Sequence, residues 1–216
     1  MKILSVASLS LPDIKVIRFG RFADQRGYFT EPFRRSDLDT HPETTFLAGV
    51  AFVQANESLS RPGTLRGLHF QWNPYMGKLV RTLHGHMIDI VLDIRLGSPT
   101  FGKAILYDMP NDDGRAEAEW IWVPPGFAHG NLFLTETRIE YLCTGEYSPA
   151  CEAGISPLAA DMDWSLCDPT LYREFEALVR RGPIMSDKDR GGFTVAQWRA
   201  DPRAAYFTYP MPQADA

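Results

Sequence analysis

The sequence predicts an all-β, antiparallel fold with a short helical flank at its C-terminal end. Between residues 14 and 148, short runs of alternating apolar and polar residues are separated by glycine and proline, the pattern of strands joined by tight turns. These turns recur about every 8–12 residues, a spacing typical of two-sheet sandwiches and closed barrels. After residue 163 the apolar residues recur at helical spacing instead.

The strands follow one another along the first two thirds of the chain. The clearest pattern covers residues 78–96, where apolar side chains from Val80 to Leu96 share one parity and Asp89 and Asp93 share the other. Gly85 falls between two half-runs of this pattern, which predicts a turn or a bulge. The other strands are predicted at residues 15–19, 51–56, 66–71, 104–109, 120–123, 132–133 and 138–147.

The C-terminal flank carries two helical patterns, at residues 171–181 and 193–205. The length of 216 residues suits one domain over residues 1–216, because single hydrophobic cores commonly reach this size. We place the β core at about residues 14–150 and the flank at about 151–216.

Composition narrows the possible functions. A net charge of −5 argues against nucleic acid as a partner, since such proteins carry a basic excess. No apolar run approaches the ~20 residues of a membrane span. The three cysteines have no regular spacing, so we expect reduced thiols in the cytoplasm rather than a disulfide framework.

Three motifs carry chemistry. In the first, Arg66 to Gln71, strand alternation puts His69 and Gln71 on one face, and a histidine can take or give a proton near neutral pH. A packed core histidine would show the same pattern.

Another motif contains Tyr141 and Tyr147, which share a parity. One of them can donate a proton while the other stacks on a base, or both can simply pack in the sheet.

The second motif is a turn that leads to a histidine. Residues 123–131 read Val-Pro-Pro-Gly-Phe-Ala-His-Gly-Asn, and Pro-x-Gly-x-x-His resembles the second signature of cupins, which are jelly rolls. With His84 and His86, His129 also raises the alternative of a metal-dependent cupin isomerase or dioxygenase, because three imidazoles can hold zinc or iron. The glutamate expected downstream of His86 is missing from the sequence.

Together these motifs resemble the dTDP-4-dehydrorhamnose 3,5-epimerase family. The matching stretches, which run in order from about residue 14 to 195, are 22–31, 54–58, 63–71, 77–81, 89–102, 125–130, 147–149 and 186–190. The resemblance implies a cupin-like jelly roll and a homodimer. It also implies an epimerase that acts at C3, C5 or both on a nucleotide-linked 4-keto-6-deoxy sugar, without metal or cofactor.

The resemblance further implies a role for each matched residue. His69 is the expected base, Tyr141 the acid and Lys78 the group that stabilises the enolate. The positions matched to substrate contacts are Arg26 and Arg66 at the diphosphate, Tyr147 on the base, His129 beside the sugar, and Glu31, Gln54, Asn56 and Glu152 around the nucleotide.

The sequence departs from the family pattern at the carboxylate that orients the base. After Glu152-Ala153-Gly154-Ile155 the expected Asp-Pro pair is absent, and we expect Asp161 to serve after a local shift, with Asp89 as its rival. This departure leaves two alternatives open: an epimerase that acts at C3 only, and a sugar-nucleotide binding protein without turnover.

Overall fold

The computed structural model describes residues 1–211 and shows an antiparallel β structure with helices after its last strand. Its strands are β1 Ile3–Ser8, β2 Lys15–Gly20, β3 Phe22–Asp24, β4 Gly27–Phe29, β5 Gln54–Ser60, β6 Leu65–Gln71, β7 Lys78–Asp93, β8 Ala104–Asn111, β9 Glu117–Val123, β10 Phe127–Phe133, β11 Thr137–Cys143 and β12 Glu152–Gly154. The helices are α1 Arg35–Thr40, α2 Pro169–Arg181, α3 Asp187–Arg190 and α4 Val195–Ala200. The predicted antiparallel fold with a helical flank is confirmed, and residues 212–216 of that flank lie outside the described chain.

The long strand β7 takes part in two layers. Its first half pairs with β9 and β11 in the order β1-β2-β9-β7-β11-β5. Its second half pairs with β8 and β10 in the order β8-β7-β10-β6-β12. We call these the first and second layers. Apolar side chains from both layers, including Val80, Val91 and Phe127, form one buried cluster between them, as in a jelly roll.

Gly85 marks the crossing between the layers. Its φ is +100°, and a Cβ there would lie 2.4 Å from the carbonyl oxygen of Glu136, so only glycine fits this position. The register with β11 shifts between Arg138 and Ile139. The predicted irregularity at Gly85 is therefore confirmed, and it changes which parity faces the space between the layers. Val80 lies between the layers, whereas Ile88 lies in the cluster beneath the C-terminal flank.

The C-terminal flank is part of the core rather than an appendage. Helix α2 matches the predicted 171–181 helix and begins after Asp168, whose carboxylate caps the N–H groups of Thr170 and Leu171. The pattern at 193–205 becomes α4 followed by a short 3₁₀ helix, Pro202–Tyr206. Trp198 and Phe207 of this region are fully buried. No helix in residues 1–211 combines the length and the apolar character needed to cross a membrane.

Candidate active site

Two adjoining cavities open between the layers. The larger, which we call the central cavity, has a volume of 650 Å³ and is lined by His69, Lys78, His129 and Tyr141 among others. The smaller, the side cavity, has a volume of 330 Å³ and shares His69, Lys78 and Tyr141 with it. The three side chains predicted to do the chemistry therefore meet at the junction of the two cavities.

His69 reaches the junction from β6 in the second layer. Its Nε2 donates to Asp189 Oδ1 at 2.7 Å, and its Nδ1 lies 3.9 Å from Glu152 Oε1. Burial alone would raise the pKa of Asp189, but the hydrogen bond from His69 holds that pKa below its usual value. Because Asp189 fixes the proton on Nε2, Nδ1 is the nitrogen with a free lone pair.

Asp161 does not take the predicted role beside His69. Its two carboxylate oxygens accept from the backbone N–H groups of Val195 and Ala196, at 3.1 and 2.8 Å, at the start of α4. The expectation that a loop shift would bring Asp161 to the base is wrong. The carboxylate comes instead from α3, 120 residues after His69 in the chain. Within the described chain, the rival Asp89 pairs with His129 rather than His69.

Tyr141 and Lys78 reach the junction from the first layer. They lie on β11 and β7, where Tyr141 is directly opposite Val80. Burial raises the pKa of the Tyr141 hydroxyl, so this phenol keeps its proton at neutral pH. Burial lowers the pKa of the Lys78 amine, partly offset by Cys143, Glu152 and Asp89. His69 on one layer thus faces Tyr141 on the other, with the desolvated amine of Lys78 beside them.

His129 lies next to His69 on the paired strand β10. The two strands approach closely because Gly67 and Gly130 face each other: a Cβ on Gly67 would lie 2.6 Å from the Gly130 Cα. His129 Nε2 donates to Asp89 Oδ2 at 2.7 Å, and both side chains are buried. His129 therefore lies at the wall of the central cavity.

Polar groups around the side cavity form a connected set. Gln54 donates to Asn56 Oδ1 at 3.0 Å and accepts from the backbone N–H of Tyr147 at 2.8 Å. The Tyr147 hydroxyl donates to Glu152 Oε2 at 3.0 Å, which raises the pKa of that phenol. Its ring is 54% exposed, so one face is free for a planar ligand. Lys188 also donates to Glu152.

The three histidines of the metal-cupin alternative are not gathered around one point. His86 donates to Asp108, and His129 is held by Asp89 in the interior. Across residues 1–211, no group of three histidine, cysteine, aspartate or glutamate side chains is arranged to hold a metal ion. The arrangement at the junction offers proton transfer between two faces of a bound ring instead.

Comparison with known proteins shows which family the chain belongs to. The family model of dTDP-4-dehydrorhamnose 3,5-epimerase matches residues 8–197. The chain belongs to this family. A relative with that name from Sinorhizobium fredii is 43% identical over 151 residues, which are 68% of this chain and 73% of the relative.

Solved structures of this epimerase family share the fold. A dTDP-6-deoxy-D-glucose-3,5-epimerase from Legionella pneumophila, in complex with dTDP-4-keto-L-rhamnose, is 31% identical with a TM-score of 0.75, covering 97% of this chain and 99% of that chain. A 3'-monoepimerase from Streptomyces bikiniensis, in complex with dTDP-quinovose, is 27% identical with a TM-score of 0.65, covering 93% and 90% of the two chains. The cupin-like jelly roll and the isomerase class predicted from the sequence are confirmed.

Two of the predicted substrate contacts lie away from both cavities. Arg26, at the tip of the β3–β4 hairpin, is 84% exposed and pairs with Asp24. Glu31 pairs with Arg34 and with the amino group of Met1. Neither side chain lines the cavities of its own chain within the described residues. Arg66, by contrast, lines the central cavity and donates to Ser60 Oγ at 3.0 Å.

Sequence reasoning missed two residues of α3. Lys188 and Asp189 both line the central cavity, yet no role was predicted for either. The signal that could have found them is the run Ser186 to Arg190, which was already part of the family resemblance. Helix α3 supplies both the carboxylate that bonds to His69 and a lysine at the cavity wall.

Proposed function

We propose that this protein epimerises C3 and C5 of a dTDP-linked 4-keto-6-deoxyglucose. The observation that carries the proposal is the junction of the two cavities, where His69 from the second layer faces Tyr141 from the first, with Lys78 beside them. Inverting a carbon requires removal of its proton on one ring face and delivery of a proton on the other. The two layers supply one group for each face.

The chemistry follows from the protonation states. The ketone at C4 acidifies the hydrogens on C3 and C5, and Nδ1 of His69 takes one of them, leaving an enolate. Asp189 at 2.7 Å stabilises the imidazolium that forms. The cationic form of Lys78 stabilises the enolate oxygen. Tyr141, whose raised pKa keeps it protonated, then returns a proton from the opposite face.

The side cavity fits the nucleotide. Gln54, Asn56 and Glu152 offer amide and carboxylate groups to a pyrimidine and its sugar. The exposed ring of Tyr147 can stack on the base. Arg66 and Lys188 at the central cavity offer positive charge to the diphosphate. This division leaves the junction itself for the 4-keto sugar.

Deuterium exchange tests the reaction. The protein is incubated with dTDP-4-keto-6-deoxyglucose in deuterium oxide, and proton NMR follows C3 and C5 separately. Deuterium at both carbons with inversion supports the proposal. Deuterium at C3 alone indicates the 3-epimerase alternative, for which the monoepimerase among the solved structures is a precedent. No exchange at either carbon would leave a binding protein and refute the proposal.

We propose further that the protein works as a homodimer in the cytoplasm. The β3–β4 hairpin exposes Phe22 and Phe29, which are 52% and 68% accessible in one chain, and its tip carries Arg26. Apolar surface of this kind is typical of a protein interface. We propose that the hairpin packs on a second copy and brings Arg26 to the diphosphate there. The three free thiols suit a reducing compartment.

Subunit mixing tests this assembly. A sample that combines Arg26→Ala chains with His69→Asn chains should regain up to about a quarter of wild-type activity, since random pairing makes half of the dimers mixed and each mixed dimer has one intact site. A control sample contains only chains that carry both changes, and it should stay inactive. Sedimentation must also give twice the chain mass. A monomer with full activity would refute the proposal.

A further inference from the structure

The last part of the described chain packs against the strand that carries His69. The family match ends at residue 197, but Trp198 and Phe207 beyond it are fully buried. Both rings pack on Phe70, with centroid distances of 4.6 Å and 5.4 Å. Neighbouring residues on a strand point to opposite faces. His69 therefore faces the cavities while these two rings support β6 from behind.

The same segment holds the loop that follows β6. The ring of Tyr206 stacks on Trp72 at a centroid distance of 5.6 Å and an interplanar angle of 10°. The Tyr75 hydroxyl donates to the backbone carbonyl of Tyr206 at 2.7 Å. This loop brings Met76 into the side cavity and leads directly into Lys78. A shift of the segment would therefore move the start of β7 as well as β6.

The segment also restrains the carboxylate partner of His69. Four residues after Asp189, the backbone of Phe193 bonds to Gly154 and Ser156, each at 2.9 Å. The Phe193 ring packs on Trp198 at a centroid distance of 6.1 Å. Gly192 lies against the same backbone, where an added Cβ would be 2.6 Å from the Ser156 nitrogen. The connection from α3 to Trp198 leaves little room for α3 to move.

We infer that Trp198, Tyr206 and Phe207 form a C-terminal clamp that positions His69 against Asp189. The clamp contacts β6, the loop before β7 and the connection after α3, so it fixes both partners of the pair. Its residues are positioning residues and touch no substrate. The inference rests on the proposed epimerase function. A misplacement of catalytic groups by about 1 Å can lower the rate by ~10²-fold, which sets the scale of the effect.

The first test uses Phe207→Ala in the full chain. We expect kcat to fall by about 10- to 100-fold, while the affinity for dTDP changes much less, because Phe207 itself lines neither cavity. Phe207→Leu should recover most of the rate by refilling the volume. Tyr209→Ala is the matched control: its ring lies over Arg95 at 5.0 Å, not on β6, and we expect no change in kcat. Wild-type kcat in a folded Phe207→Ala protein would overturn the inference.

The second test needs no substrate. The proton shared by His69 and Asp189 should give a downfield NMR signal, assigned by its loss in Asp189→Asn. Phe207→Ala should broaden or shift this signal, and an unchanged signal would overturn the inference. If Phe207→Ala does not fold, Trp198→Phe serves the same purpose with a smaller change, since the Trp198 Nε1 has no hydrogen-bond partner in residues 1–211. If the wild type shows no turnover, the proposed function fails while this comparison still decides the inference.

Discussion

Asp189→Asn tests whether the hydrogen bond between Asp189 and His69 is needed for the proposed reaction. The change keeps the shape of a 7% exposed side chain but removes the charge 2.7 Å from His69. A hydrogen bond to a charged group contributes about 1.5–3 kcal/mol. Because each 1.36 kcal/mol is tenfold in rate, losing it lowers kcat by about 10- to 150-fold. The amide can also donate to the ring and select the wrong tautomer, which in serine proteases costs ~10⁴-fold.

We therefore expect kcat for Asp189→Asn to fall by about 10²–10³-fold, between these two effects. Asp161→Asn is the matched control because it makes the same chemical change nearby in the flank. Its amide oxygen can still accept from the start of α4, so we expect a loss of stability below ~1 kcal/mol and a rate within about twofold of wild type.

The assay is deuterium exchange at C3 and C5 with saturating substrate, and thermal unfolding of each variant confirms that it is folded. A folded Asp189→Asn protein with wild-type kcat would refute the assignment of the His69 partner. A severe loss in Asp161→Asn, with a mild one in Asp189→Asn, would restore the role that the sequence suggested for Asp161.

Three further predictions concern the junction and the side cavity. Tyr141→Phe should lower the rate of full epimerisation by ~10²–10⁴-fold with dTDP affinity unchanged by calorimetry; an unaltered rate would remove Tyr141 as the acid. Lys78→Met should abolish turnover yet raise Tm. Burial lowers the pKa of Lys78, so the charge of this lysine destabilises the fold at neutral pH. The Tm difference between the variant and the wild type should therefore shrink as pH rises towards ~10.4, where the unfolded lysine also loses its proton. A variant Tm below that of the wild type at neutral pH would contradict this. Tyr147→Ala should raise KM by roughly 5- to 12-fold with kcat little changed, since stacking on a base contributes about 1–1.5 kcal/mol here. Tyr147→Phe should retain a near-normal KM. Equal KM values for both variants would show that the ring does not stack.

The sequence was most informative where the structure is local. Strand alternation and turn residues located the strands that carry His69, Lys78 and Tyr141, and the helix at 171–181 followed from its spacing. The family motifs then matched these residues to a base, an acid and a cation. Each of these inferences depends on residues close together in the chain, where periodicity is a direct consequence of backbone geometry.

The failures arise where distant segments meet. The partner of His69 lies 120 residues away on a helix of four residues, which is too short to show a periodic pattern. Asp161 was nearer to the family motif, but its carboxylate is used by the backbone of α4. The alternation over residues 78–96 predicted the irregularity at Gly85 but not the change of sheet there, because alternation carries no information on where a strand leaves one sheet for another.

The crossing of β7 between the layers has a mechanical consequence. His69 and Tyr141 belong to different layers, and both layers share one unbroken strand of 16 residues. The two layers that carry His69 and Tyr141 are thus joined by covalent backbone and its hydrogen bonds rather than by a hinge. Separating the layers would require breaking the hydrogen bonds that β7 makes in both of them. We therefore expect the distance between the two layers to stay nearly constant while a ligand enters and leaves.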